Sequence, residues 1–523
     1  MFLPILSIIG GVWQGQYTDD PYHWGFIFSN AIDFLDGRIP YREIFLEYGI
    51  LSTLIHAFTL VLFDKNILSL ISITSFFYAL SIFFIGIIIL KVTSNKNYSF
   101  LATLILFMIY PWPVSPWINF ISFFFTVLFC LFYLKNEKRY HLFSGIFLAF
   151  AYLSFTTVYN FIIIFFVVFV GSFFIFNLRK IHLSFFKKNA FVTIGFLSTL
   201  IIFFVYLFFN DLFYIWINYQ KLPFVQSEAS NINIYNQALN YVYFLTLYTF
   251  QNFIYVPQQT IFTIIFFSNI ILIIKYIIDF YKNSDFSENK LNLFIINILI
   301  LSLNIYAQLS DIDKMATSLS LGLISVFLLI NSFKEFENKI ISIFILLFIS
   351  SYSLLFAFNL ENTKYGASRG AYFKDIKNLD LKYTNNKISY FKNQKWSKNS
   401  WHVLNSFVDI QNKIKNKCFL EYGANLTTNT YLYTLLNQKK IQVIPFFYKE
   451  LGETFRRNYD TEIIDKIQDQ IYRENIFIVS FENNDKLFNL SNYSQPIKID
   501  LNAYNKKINK FLYLFFPKKC LPI

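Results

Sequence analysis

Apolar runs recur along almost the whole first two thirds of this chain, at residues 1–13, 50–63, 67–90, 98–111, 117–134, 142–157, 158–178, 190–210, 258–280, 291–309, 315–331 and 338–358. A run of some twenty apolar residues matches the ~30 Å hydrocarbon core of a bilayer. Inside lipid every backbone N–H and C=O must be satisfied within the segment, which leaves helices or closed barrels. The runs are continuous rather than alternating, so helices are predicted. The composition agrees: 55% of the 523 residues are hydrophobic and only 15% are charged. The fold class is therefore a polytopic α-helical membrane protein with about 11–13 transmembrane helices.

The first run, Met1 to Trp13, is about 20 Å long as a helix. It has neither a charged leader nor a small-residue cleavage pattern, and is expected to be the first membrane helix rather than a removable signal. Lys and Arg concentrate on the cytoplasmic side of membrane proteins. Placing Arg179, Lys180, Lys187, Lys188, Lys275, Lys282, Lys334 and Lys339 there puts segment 211–257, the Asp311 loop and the tail outside. The first half conflicts with this arrangement. If residues 14–49 are outside and every run from 50 to 178 crosses once, Arg179 emerges on the wrong side. One run must fail to span, and the short 50–63, ending at Asp64 and Lys65, is the first suspect.

Two domains follow: a membrane domain, 1–358, with a first outer loop at 14–49 and an outer segment at 211–257, and a small C-terminal α/β extramembrane domain, 359–523. From Glu361 onward there are 26 Lys and Arg against 15 Asp and Glu, so +11 of the net +13 lies in the tail. Such a surface suits anionic membrane lipids, whereas no recognition motif supports nucleic acid. Strands are predicted at Cys418–Tyr422, Ile441–Pro445, Asn475–Phe481 and Phe511–Phe516, and helices at Thr430–Asn437 and Thr461–Glu474. Residues 361–400 read as a linker or an irregular first portion. Cys130, Cys418 and Cys520 have no metal or redox spacing and are taken as structural.

The loop at 17–49 packs acids and bases between apolar runs. Its apolar spacing predicts two short helices along the membrane surface, joined at Asp36-Gly37-Arg38. Ionisable groups beside a bilayer are costly and mark function. Asp19 and Asp20 either hold a divalent cation or supply one general base; the plain alternative is a solvated pair that ends the helix. His23, three residues on, is placed to orient Asp20. Arg38 and Arg42, four apart, would present two guanidiniums on one helix face to a phosphate, or pair with Glu43 or Glu47. Pro111 to Trp117 breaks the helix at membrane depth, as a pocket wall or a plain turn. Asp311 and Asp313 form a second acidic site for sugar hydroxyls or a cation, or a solvated loop. There is no Gly-rich phosphate loop, nucleotide fingerprint or serine elbow, which points any transferase toward a lipid-borne donor.

Asp20-Pro21-Tyr22-His23-Trp24-Gly25, then Gly37-Arg38-Ile39-Pro40-Tyr41-Arg42-Glu43-Ile44-Phe45 and Glu47-Tyr48-Gly49, resembles the first outer loop of bacterial type C (GT-C) membrane glycosyltransferases. That superfamily includes protein mannosyltransferases and the lipid A aminoarabinose transferase. Ser310-Asp311 matches a later motif, with Leu309 and Lys314 standing where the family has Arg and His. The resemblance implies an inverting transferase in the bacterial inner membrane. It would move a sugar from a polyprenyl-phosphate donor to a glycan, lipid or protein acceptor outside. Asp19 or Asp20 would be the catalytic base. His23, Arg38, Arg42, Glu43, Tyr48, Asp311 and Arg369 would line the substrate site, the arginines facing the departing lipid phosphate. A polysaccharide polymerase or a lipid-linked sugar flippase is the rival reading, and a non-enzymatic scaffold the bland one.

Overall fold

The computed structural model describes residues 2–16, 23–44, 46, 49–109, 118–156, 159–160, 162–163, 167, 171, 183–217, 220, 257–282, 287–307, 320–332, 343, 345–351, 381–384, 388–397, 401–402, 404–406, 408–409, 422–425, 439–440, 476–480, 493, 495–500, 511–516 and 518. The chain divides into two compact units that interleave in sequence. One comprises Met1–Gln14, Ile71–Asp211 and Asn233–Lys374; the other comprises Gly15–Leu70, Leu212–Ile232 and Asp375–Ile523.

The first unit is a helix assembly. Its elements are most of α1 (Phe2–Gly15) and α4 (Ile67–Thr93), with α5 (Lys96–Met108), α6 (Ile118–Tyr133), α7 (Lys138–Ser154), α8 (Leu183–Phe209), α9 (Pro257–Lys282), α10 (Glu288–Ala307) and α11 (Leu323–Ser332). Among the described residues, three stretches are long and apolar enough to cross a membrane, Ile67–Thr93, Ser184–Phe209 and Ile261–Lys282, and shorter apolar helices accompany them. The outer faces are apolar. On α8, Ile194, Leu197, Ile201, Val205 and Phe208 form an exposed stripe at helical spacing, and on α9 so do Phe267, Ile271, Ile274, Ile278 and Tyr281. A water-soluble protein would turn such stripes inward; here they are the lipid face. The chain is an integral membrane protein.

Helix α6, apolar all round, is buried on nearly every side, as a central helix should be. Tyr78 of α4 packs edge-on against Phe120 of α6 with centroids 5.5 Å apart, and its hydroxyl donates to the Leu106 carbonyl of α5 at 3.2 Å. Small residues set the close crossings. A Cβ added to Gly145 of α7 would stand 1.9 Å from the Val192 carbonyl oxygen of α8, and one on Gly195 of α8 would stand 2.1 Å from the Leu142 oxygen of α7. Two backbones therefore touch where neither residue has a side chain. Helices α9, α10 and α11 meet at a polar knot, in which the Asn269 amide donates to Asn297 Oδ1 at 3.0 Å and to Ser325 Oγ at 2.9 Å.

The second unit holds α2 (His23–Leu35), α3 (Ile50–Leu62) and the strands. The predicted first surface helix is α2, but the predicted second one is absent. Beyond Gly37, whose φ of +83° needs no Cβ, residues 39–44 close into a tight turn in which the Ile39 carbonyl accepts from the Glu43 amide at 2.8 Å. Pro40 disfavours a helical Ile39 and lacks an N–H of its own, while Tyr41 sits at φ +70°. Residues 381–397 are likewise not a featureless linker. β1 (Leu381–Thr384) and β2 (Lys395–Ser397) pair antiparallel around a 3₁₀ turn, Ser389–Phe391.

The rest of the tail forms a five-stranded mixed sheet of order β4-β3-β5-β7-β6, from β3 (Tyr422–Asn425), β4 (Lys439–Lys440), β5 (Ile476–Ser480), β6 (Ile497–Asp500) and β7 (Phe511–Phe515). β3 runs parallel to β4 and β5, while β7 pairs antiparallel with β5 and β6. The strands predicted at Asn475–Phe481 and Phe511–Phe516 are present as β5 and β7, and the one predicted at Cys418–Tyr422 meets β3 only at Tyr422. The one predicted at Ile441–Pro445 lies outside the described residues, just after β4, and β6 was not foreseen. The helices expected at 430–437 and 461–474 lie outside the described residues.

Candidate active site

Residues 388–397 gather the acidic loop's surroundings. The Lys395 amide donates to the Gln16 carbonyl at 2.6 Å and the Gln394 side-chain amide donates to the Gly15 carbonyl at 3.2 Å, both at the last turn of α1. Asn66, between α3 and α4, donates to the Lys392 carbonyl at 3.0 Å and the Ser389 carbonyl at 3.5 Å. Its Oδ1 also accepts from the Leu68 amide at 2.8 Å, which caps α4. Phe28 of α2, fully buried, meets the Tyr390 ring at 5.5 Å and the Phe391 ring at 6.3 Å. Phe391 stacks edge-on against Trp396 at 5.3 Å, and both are fully buried. Burial, with the Asp36 carboxylate adding to it, pushes the Tyr390 hydroxyl pKa up, so the phenol keeps its proton.

These bonds decide the path of the chain. Gln16 and Asn66 are both held by a turn whose contacting atoms are three residues apart, so the two lie within about 20 Å of one another. A chain that leaves and returns within that distance cannot have crossed a ~30 Å hydrocarbon layer once in between. The 13-residue α3, about 20 Å long, is itself short of that layer.

Only some of the candidate residues fall among the described ones. Asp19 and Asp20 lie outside the described residues, between the clamped end of α1 and His23, the first residue of α2. Tyr48, Asp311 and Arg369 also lie outside them, as does the Pro111 to Trp117 segment. Arg38 and Arg42 do not share a helix face, because the backbone there is the turn. The Arg38 guanidinium instead stands 3.9 Å from Asp33, which is largely buried, and its amide donates to the Asp33 carbonyl at 3.1 Å. Arg42 is exposed. Glu43 Oε2 accepts from the Ile39 amide at 2.8 Å and pins the turn.

The sequence reading passed over several residues that this frame uses. Helix α2, packed against α3, buries Ser29, Asn30 and Asp33, and α3 buries Ser52, Thr53, His56 and Thr59. Trp24 Nε1 and His56 Nε2 are buried with no hydrogen-bond partner among the described residues. Burial pushes the His56 imidazole down to about 3, so it is neutral at pH 7. Asp33 was visible as an acid at helical spacing from the buried Phe26 and Ser29. Nothing in spacing or composition singled out Gln394 or Asn66, because their partners lie more than three hundred residues away. Among the described residues, no group of three or more His, Cys, Asp or Glu gathers to hold a metal ion.

No family model matches this chain, and no curated protein does. Solved structures do. The crystal structure of ArnT from Cupriavidus metallidurans bound to undecaprenyl phosphate superposes with a TM-score of 0.51 at 10% identity, covering 100% of this chain and 99% of that one. This chain shares the fold of that ArnT over its whole length. The apo state of the same ArnT gives the same TM-score, covering 98% of its own length. The Archaeoglobus fulgidus oligosaccharyltransferase, in complex with Zn and sulfate, gives a TM-score of 0.43 at 13% identity, over 98% of this chain and 72% of its own.

Proposed function

We propose that this chain is a membrane glycosyltransferase that moves a sugar from a polyprenyl-phosphate donor onto a glycan, lipid or protein acceptor on the outer face of the membrane. The observation that carries the reading is the end-to-end likeness to an ArnT bound to undecaprenyl phosphate. The motif resemblance of residues 20–49 adds to it. So does topology. With 17–66 returning to its own face, α4, about 40 Å long, becomes the second crossing. Alternating crossings then bring Lys91, Lys135, Lys138, Arg139, Lys187, Lys188, Lys282 and Lys334 to one face, the pattern of a cytoplasmic side. Lys91, donating to the Leu134 carbonyl, and Lys188, 4.1 Å over the Tyr133 ring, support a shared end. The acidic loop and the basic tail fall on the opposite face, the tail against anionic headgroups.

In the mechanism we infer, Asp19 or Asp20 takes the proton of the acceptor hydroxyl as its oxygen attacks the anomeric carbon. The carbon–oxygen bond to phosphate breaks from the far side, with inversion, and the polyprenyl phosphate leaves as an anion. Arg38, Arg42 or Arg369 is the group proposed to meet that charge; Arg38 stands 3.9 Å from Asp33. His23, Tyr48 and Asp311 are proposed to hold sugar hydroxyls, and Glu43 to shape the turn. Asp19 and Asp20 are the pair proposed for a divalent cation, and no step here uses one.

The test is sugar transfer in membranes from a panel of radiolabelled undecaprenyl-phosphate hexoses and pentoses. Wild type should transfer at least one, and Asp19→Asn or Asp20→Asn should lose about a hundredfold or more. Undiminished transfer by both variants would overturn the mechanism.

A further inference from the structure

We propose that the turn Ile388–Ser397, with Gln394 at its centre, is a positioning device for the acidic loop. The C-terminal unit would then act on the reaction from behind, by fixing the point from which residues 17–22 depart. The inference rests on the transferase reading for its consequence in catalysis, and on the hydrogen bonds alone for its mechanics. Gln394 is fully buried. A buried amide costs free energy unless it is hydrogen-bonded, and this one donates to the Gly15 carbonyl at 3.2 Å. The last carbonyls of a helix have no partner within it. Gln394 and the Lys395 amide satisfy two of them, on consecutive residues Gly15 and Gln16.

The same turn fixes two other flanks. The carbonyls of Ser389 and Lys392 receive Asn66, which closes the return of the loop. The rings of Tyr390 and Phe391 hold Phe28, one and a half turns into α2. Phe391 and Trp396 brace the turn internally. Asn393, at φ +67°, gives the reversal that brings Gln394 inward. The end of α1, the body of α2 and the start of α4 are thus referred to one ten-residue element, and the segment carrying Asp19 and Asp20 joins two of them. Displacing a reacting group by about 1 Å can cost a hundredfold in rate, so loosening this element should appear in turnover more than in binding.

Two variants separate positioning from folding. Gln394→Leu keeps the volume and loses the donor. Asn66→Asp keeps the oxygen that caps α4 and loses the donor to the turn. Both are made in the full-length protein, with folded fraction measured by size-exclusion chromatography and thermal unfolding. Each should lower kcat per folded molecule about tenfold to a hundredfold with the undecaprenyl-phosphate sugars, while KM for the lipid donor stays within about twofold. In hydrogen–deuterium exchange, the amides of 17–22 should exchange about tenfold faster in Gln394→Leu than in wild type. If wild type is active and Asp19→Asn or Asp20→Asn is not, yet both variants keep full kcat, the positioning inference fails and the transferase reading stands. If wild type transfers no sugar, the reading fails, and unchanged exchange at 17–22 overturns the positioning inference independently.

Discussion

Replacing Gly145 or Gly195 with alanine should be among the most damaging single-methyl changes available in this chain. At Gly145 the new Cβ would fall 1.9 Å from the Val192 oxygen and 2.7 Å from the Phe196 nitrogen; at Gly195 it would fall 2.1 Å from the Leu142 oxygen. Ordinary contact begins at 3.4 Å, and every one of these neighbours is backbone, so no rotamer change relieves them. The two helices must part by about 1.3 to 1.5 Å. A gap of 0.5–1 Å already forfeits a quarter to a half of each dispersion contact along the crossing. Without a strong hydrophobic drive between helices in lipid, those contacts are most of what holds α7 to α8. Overpacking costs typically 1–3 kcal/mol, and this case belongs at the top of that range, about 3 kcal/mol for either variant. The double variant should cost less than the sum, because one separation serves both methyls. Gly86→Ala is the control: its Cβ meets the Thr103 hydroxyl at 2.6 Å, the end of a side chain that can rotate, and should cost under about 1 kcal/mol. Unfolding by dodecyl sulfate titration in mixed micelles measures all four. The reasoning is refuted if both glycine variants fall within about 0.5 kcal/mol of wild type.

His56 and Asn269 give further expectations. Because burial holds the folded His56 pKa near 3 against 6.5 unfolded, the unfolded state alone takes a proton between those values. Stability is therefore full above about pH 6.5 and falls as pH drops, by about 2 kcal/mol at pH 5. His56→Gln should lose that increment in unfolding titrations at pH 7 and pH 5, and an equal acid loss in variant and wild type would contradict it. At the knot of α9, α10 and α11, Asn269→Leu should cost about 1 kcal/mol, the usual scale of an interhelical hydrogen bond in a membrane. A double-mutant cycle with Ser325→Ala should return a coupling above about 0.5 kcal/mol, and strict additivity would remove the knot from the account.

Much of the helical body was legible because lipid imposes a simple rule on sequence. The starts of α4, α6 and α9 fall within about two residues of their apolar runs. What was not legible is what depends on distant pairing. Length alone left it open whether 50–63 spans; the bonds that join Asn66 and Gln16 to residues 389–395 could not be read either, because no local pattern announces a partner so far along the chain. The second surface helix was predicted because Tyr41 restarts the apolar run, yet Pro40 and the Glu43 bond to the Ile39 amide make a turn the better local solution over residues 39–44. The polar stretch 381–397 looked like a linker because it is rich in Lys and Asn, although Phe391, Gln394 and Trp396 are fully buried in it. Of the candidate site, the acidic loop was found from charge in an apolar context, while Asp33 as the partner of Arg38 emerged only from the fold.

The account's central claim is that the acidic loop and the tail's turn share the outer face of the membrane. Thiol labelling in spheroplasts addresses it directly. Cys130, Cys418 and Cys520 are first replaced by serine, and single cysteines are then placed at the exposed Lys65, Asn393 and Lys138. A membrane-impermeant maleimide should label Lys65→Cys and Asn393→Cys in intact spheroplasts, and Lys138→Cys only after permeabilisation. Labelling of residues 65 and 393 from opposite faces, or of both only from within, would contradict the account.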